Sequence, residues 1–189
     1  MTPTERREAL VDVTLRLLRE HGREVTTKQI AEAAGVAEGT IFRVVESKDE
    51  LVLAAMMRAW EPGDVVARIE EIDAGLPFEQ RLVLLVSILQ QRFRATFSLM
   101  QKVGLVRPPD HLHDSDEAVA WRARLEELIV GVIGPDVAHL RCPVGHFVHL
   151  LRLLTFAGSH DQIADGVLLT PEQIVDTVLH GLAEGDPRC

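Results

Sequence analysis

Residues 26 to 51 read TTKQIAEAAGVAEGTIFRVVESKDEL. Thr26 and Gln29, three positions apart, form a capping box, so a helix is expected from Thr27. Ile30, Ala31 and Ala34 follow at helical spacing, and Gly35 stands where a left-handed cap would end a helix of about two turns. Val36 is an apolar plug in the turn, and Glu38 to Val45 leaves room for a second short helix. Ser47 with Glu50 repeats the capping pattern and opens a longer helix through Leu51, Leu53, Met56 and Met57. Upstream, Thr2, Pro3 and Glu5 read as N-cap, first helical proline and third helical glutamate. Leu10, Val11, Val13, Thr14, Leu17 and Leu18 give that helix its inward stripe, and His21-Gly22 ends it. Three helices then share one small core. Two short helices joined by a glycine-containing turn are the pattern of helix-turn-helix units, whose second helix enters a DNA groove.

In that context the chain resembles the tetracycline-repressor (TetR) family of transcriptional regulators. The resemblance rests on His21-Gly22, Thr26-Thr27 before Ile30-Ala31, Ala34-Gly35-Val36, Gly39-Thr40-Ile41, Arg43, and Ser47-Lys48-Asp49-Glu50-Leu51. These residues cover roughly the first third of the chain. The resemblance implies an N-terminal three-helix DNA-binding unit and a C-terminal helical ligand and dimerisation domain, with repression relieved by a small molecule. The chain also departs from the pattern: family members commonly carry Tyr, His and Phe where this sequence has Phe42, Val44 and Val45. Phe42 lacks the hydroxyl that relatives offer to a phosphate, and Val44 can only touch a thymine methyl. Val45 is a small filler for the core, and Ala37 stands where a serine N-cap is frequent, which weakens the start of the reading helix by roughly 1 kcal/mol.

Charge tests this reading, because the net charge of -9 is unusual for a DNA binder. Residues 1 to 60 hold nine Lys/Arg against ten Asp/Glu, and residues 61 to 189 hold eleven against nineteen, so the acidity lies mainly in the C-terminal part. Lys28, Arg43 and Lys48 are the candidate phosphate cations, with Thr26, Thr27 and Thr40 as neutral donors. Gly39 lets the backbone approach DNA closely. Thr40 and Arg43, one turn apart, are the expected groove contacts. Glu38 at the helix start, Phe42 and Val44 complete the expected DNA-facing set, Phe42 suiting a core and an interface equally.

Beyond this region the periodicity is helical throughout, which predicts an all-α fold with a DNA-binding domain over 1-47 and a helical regulatory and dimerisation domain over 48-189. Pro62-Gly63 and Gly75-Leu76-Pro77 are breaks, separated by a pattern through Val65, Val66, Ile69 and Ile72. Phe78 to Lys102, Asp116 to Ile133 and Pro143 to Phe156 read as helices, and Gly104 to Asp114 as a loop. Thr170, Pro171 and Gln173 cap a last helix carrying Ile174, Val175, Val178, Leu179 and Leu182. The last two helices are the expected homodimer interface, since a two-fold operator needs two heads about 34 Å apart and the resemblance implies a four-helix bundle there.

Phe93, Phe97, Met100, Leu105, Trp121, Phe147 and Phe156 are the candidate lining of an apolar ligand pocket. Core packing accounts for each singly; a shared wall accounts for several together. With no Lys/Arg cluster to hold an anion, the expected ligand is a neutral hydrophobic small molecule. Seven of the eight histidines follow residue 110, in His111-x-His113-Asp114-x-Asp116 and His139-x-x-Cys142-x-x-x-His146-x-x-His149. That spacing makes a metal-sensing regulator the alternative, although neither a metal site nor a cofactor is assigned. A regulator controlled by a protein partner is a further alternative. The sequence carries no phosphate-binding glycine loop, Gly-x-Ser-x-Gly elbow or Cys-x-x-Cys pair, so no enzyme activity is expected. The N-terminus has no basic-then-apolar export pattern, and no apolar run reaches about 18 residues, which predicts a cytoplasmic protein without membrane insertion.

Overall fold

The helix starts follow from side chains that reach back to their own backbone. At Thr2, Thr26 and Thr170 the hydroxyl accepts from the amide three residues on, and Glu5, Gln29 and Gln173 return the bond to the cap amide. The computed structural model describes residues 2–105 and 115–182. Among them the α-helices are α1 (Pro3–His21), α2 (Thr27–Ala34), α3 (Glu38–Ile41), α4 (Lys48–Trp60), α5 (Val65–Glu70), α6 (Phe78–Val103), α7 (Asp116–Ile133), α8 (Val144–Gly158) and α9 (Pro171–His180). No strand occurs among the described residues, so the all-α expectation holds. Most of the expected loop from Gly104 to Asp114, with His111 and His113, lies outside the described residues, as does Cys189.

Four local expectations need correction. The reading helix is α-helical only over Glu38–Ile41, although Val45 N still donates to Ile41 O at 3.1 Å. Ser47 accepts from the Glu50 amide at 3.1 Å, but Glu50 does not return the bond to Ser47; its carboxylate accepts from Glu46 N at 2.7 Å and pairs with Arg7 at 3.2 Å. The pattern expected to reach Ile72 stops helically at Glu70. Leu182 lies past the end of α9 and is exposed.

The chain divides into two units: Met1–Glu61 with Thr96–Ser115, and Pro62–Ala95 with Asp116–Cys189. The first differs from the span 1-47 drawn from sequence because Leu51, Ala55, Met56 and Ala59 of α4 enter the same core as Leu10, Leu18, Ile30 and Ile41. Leu99, Met100 and Val103 at the end of α6 join them. At that seam Gly22 (φ 62) is required, since a Cβ there would sit 2.5 Å from the Lys102 carbonyl oxygen. On the surface, Arg58 of α4 pairs with Glu8 of α1 and lies 3.6 Å from Asp12.

The second unit buries Leu82, Leu85 and Leu89 of α6, Ile129 and Ile133 of α7, Phe147 and Leu151 of α8, and Ile174 and Val175 of α9. Arg81 is 5% exposed within it. Its guanidinium donates to Leu76 O at 3.2 Å, to Val132 O and to the Asp136 carboxylate, leaving no unpaired buried charge. No described helix is long and apolar enough to cross a membrane.

Candidate nucleic-acid interface

Gly35 ends α2 in the left-handed conformation (φ 67, ψ 31), its amide donating to Ala31 O and Glu32 O. Val36 N then bonds to Ala31 O at 3.0 Å, and the Val36 side chain packs against the head core. These contacts set the angle at which α3 leaves α2. Ala37 caps α3 with no side-chain bond, as its missing hydroxyl dictates. Ile41 and Val45, four positions apart, are buried and anchor the reading segment beside Ile30. Phe42 and Arg43 between them turn outward.

Of the expected DNA-facing set, Thr26, Lys28, Glu38, Gly39, Phe42 and Arg43 are exposed, while Thr27, Thr40, Val44 and Lys48 are half-buried. Phe42, which suited core or interface equally from its spacing, is 52% exposed. Val44 packs against the core. The hydroxyls are more committed than the sequence suggests: Thr26 donates to Gln29 Oε1 at 2.9 Å, and Thr27 donates to a Glu38 carboxylate oxygen. Each hydroxyl has one proton to give, so neither offers a phosphate a free donor in this arrangement. Lys48 donates one of its three N–H groups to Arg23 O at 3.3 Å. An open groove lined by Phe42 to Ser47 and by Glu50 runs beside this segment. The Glu46 amide first, and the Arg7 guanidinium second, hold the Glu50 carboxyl below its ordinary range.

The seven candidate pocket residues are divided between the two units. Met100 is buried in the first core and Leu105 packs against it; Phe97, half-buried, also falls in the first unit. Phe147 is buried in the second core, with Phe93 and Trp121 packed against that core. Phe156 is 40% exposed and meets Phe93 edge to face at 5.4 Å between ring centres. A separate cleft of about 200 Å³ in the second unit is lined by Ile69, Glu70, Arg124, Glu127, Leu128 and Val132 among others, and by none of those seven. Arg124 spans its rim, bonding to Glu70 at 2.9 Å and Glu127 at 3.2 Å. Sequence reading missed this cleft because the Arg124–Glu70 pair at its rim joins residues 54 positions apart on different helices. His146 and His149 are exposed on α8, and no group of three potential metal ligands occurs among the described residues.

The first unit is thus a helix-turn-helix protein's reading head, with a capped support helix, a left-handed glycine turn and an outward-facing short second helix. Residues 10–55 match the family model for "Bacterial regulatory proteins, tetR family", so this N-terminal module is of the tetR-family type. It is 35% identical over 88 residues to the "HTH-type transcriptional repressor KstR" of Mycolicibacterium smegmatis, a match covering 46% of this chain and 43% of that protein. The match therefore spans less than half of that relative. Among solved structures, a tetR-family transcriptional regulator from Streptomyces coelicolor aligns over 95% of this chain and 79% of its own, with TM-score 0.59 and 20% identity. The regulator FadR from Bacillus subtilis, solved in complex with stearoyl-CoA, aligns over 93% of this chain and 99% of its own, with TM-score 0.62 and 14% identity. At those identities the two likenesses concern the fold.

Proposed function

We propose that the protein is a sequence-specific DNA-binding transcriptional repressor that acts as a homodimer and is released from its operator by a hydrophobic small molecule. The observation that carries the reading is the head: Ile30, Ile41 and Val45 fix the reading segment from inside, while Gly39, Phe42 and Arg43 of that segment and Lys28 of α2 are exposed. A helix held that way presents its side chains to a major groove and its cations to the flanking phosphates. The KstR match, 35% identical over 88 residues, supports the repressor assignment.

A two-fold operator requires a second copy. Supporting this, α8 is apolar on two sides: Phe147, Val148 and Leu151 are buried inward, while Leu150, Leu153 and Phe156 are 40%, 55% and 40% exposed. A helix with apolar side chains on its outer as well as its inner side suits a covered position, and an equivalent α8 is a self-complementary cover. For the ligand, the aromatic pair Phe93 and Phe156 and the Ile69–Leu128 cleft offer apolar surface within the second unit. The stearoyl-CoA complex of a protein with this fold supports a ligand bearing a long apolar portion. A coupling of about 1 to 3 kcal/mol between ligand and operator suffices for regulation.

Selection of bound fragments from the genomic DNA of the host tests the reading. The expected result is a two-fold-symmetric site with half-sites about one helical turn apart. Failure to enrich any sequence contradicts DNA-specific regulation.

A further inference from the structure

We infer that Glu38 reads a cytosine in each operator half-site and that Thr27 positions it, instead of holding a phosphate. This rests on the DNA-reading function proposed above and concerns the same face.

Glu38 is the first residue of α3 and is exposed. Thr27 is the first residue of α2, and its hydroxyl donates to Glu38 Oε1, bridging the opening turns of the two helices. The second carboxylate oxygen has no hydrogen-bond partner among the described residues. An ionised carboxylate only accepts, so it repels a phosphate and needs a donor. In the major groove the amino donors are cytosine N4 and adenine N6. Adenine sets its amino group beside the acceptor N7, which disfavours a second anionic acceptor, whereas cytosine offers N4 without an acceptor on the same groove edge. A held carboxylate at this position therefore selects cytosine.

Its negative charge also lowers affinity for every other sequence. In a head with nine Lys/Arg and ten Asp/Glu through residue 60, that penalty favours discrimination over tight binding. The bond to Thr27 holds the carboxylate in place, and it uses the one proton that Thr27 could have given to a phosphate.

The test is DNA selection with the full-length protein and with Glu38→Gln, Glu38→Ala, Thr27→Val and Thr27→Ser, each followed by affinity measurement at several salt concentrations. Wild type is expected to select cytosine at one position of each half-site. Glu38→Gln shifts that position to adenine, whose N6 and N7 an amide matches, and leaves the others unchanged. Glu38→Ala flattens it by about tenfold while binding to unrelated DNA tightens. Thr27→Val weakens the same position without altering the salt slope, and Thr27→Ser, which keeps the hydroxyl, restores it. Unchanged base preferences in both Glu38 variants overturn the inference. So does a uniform loss in Thr27→Val with the salt slope falling by about one, the signature of a lost phosphate contact. A wild-type protein that selects no sequence removes the DNA-reading proposal itself, an outcome distinct from a selected site indifferent to Glu38.

Discussion

The helix-turn-helix of the head is shaped by caps between near neighbours, while the buried polar side chains of the second unit, Arg81 and Gln90, bond to distant ones. Thr2 to Glu5, Thr26 to Gln29 and Ser47 to Glu50 are each three positions apart. Arg81 to Val132, Arg124 to Glu70 and Gln90 to Leu169 span 51, 54 and 79 positions. Short-range bonds fix backbone geometry and leave the outer side chains of the reading segment free. Long-range bonds fix how helices pack, and they consume the polar groups that make them. A surface for recognition coexists with a stable head because the local caps leave Lys28, Gly39, Phe42 and Arg43 exposed, although the Thr26 hydroxyl is itself a cap and Thr27 is bonded to Glu38.

That contrast breaks most readily at Arg81. Arg81→Ala leaves the Val132 carbonyl and Asp136 without their buried partner, and an expected loss of about 3 to 5 kcal/mol is readable by chemical denaturation. Arg58→Ala in the head removes contacts whose partners are exposed to water, and is expected to cost about 1 kcal/mol or less. Equal losses would erase the distinction between the two units. The next effect is on binding: Arg43→Ala should weaken operator affinity by about 1 to 3 kcal/mol and leave the thermal midpoint unchanged, because Arg43 is exposed and outside the core. A fall in both quantities would place Arg43 in the scaffold.

Smaller still is the gain from Ala37→Ser. The hydroxyl supplies the cap bond that α3 lacks, for an expected stabilisation of about 0.5 to 1 kcal/mol in denaturant titration. The smallest effect is the pH dependence at Glu50. Its folded carboxyl titrates below the ordinary 4.5, so its contribution is complete above that value and is lost as pH falls through the lower folded value. The stability gap between wild type and Glu50→Gln should therefore be constant above about pH 4.5 and close in more acid solution. A gap that widens on acidification reverses the sign.

The same division explains what was legible in the sequence. The capping pairs at Thr2, Thr26 and Thr170 and the glycine turn at Gly35 are written within a few residues, and the fold returns them as expected. The reach of α3 was overestimated because Ala37 gives no cap and the helical bonding tapers after Ile41. Met100 and Leu105 read as pocket residues because sequence does not tell which core the end of α6 enters; it enters the head. Phe42 was undecided because one aromatic suits an inner or an outer face, and its place follows from Ile41 and Val45 taking the inner one. The commitment of Thr27 to Glu38 joins residues 11 positions apart on different helices and left no mark in the local pattern.

The dependence of operator affinity on salt tests the central claim, that the head docks on DNA through its exposed cations. If a dimer neutralises about six phosphates through Lys28, Arg43 and Lys48, the logarithm of the association constant should fall with the logarithm of salt concentration at a slope near roughly -5. A slope near zero at a genuine operator would contradict the account.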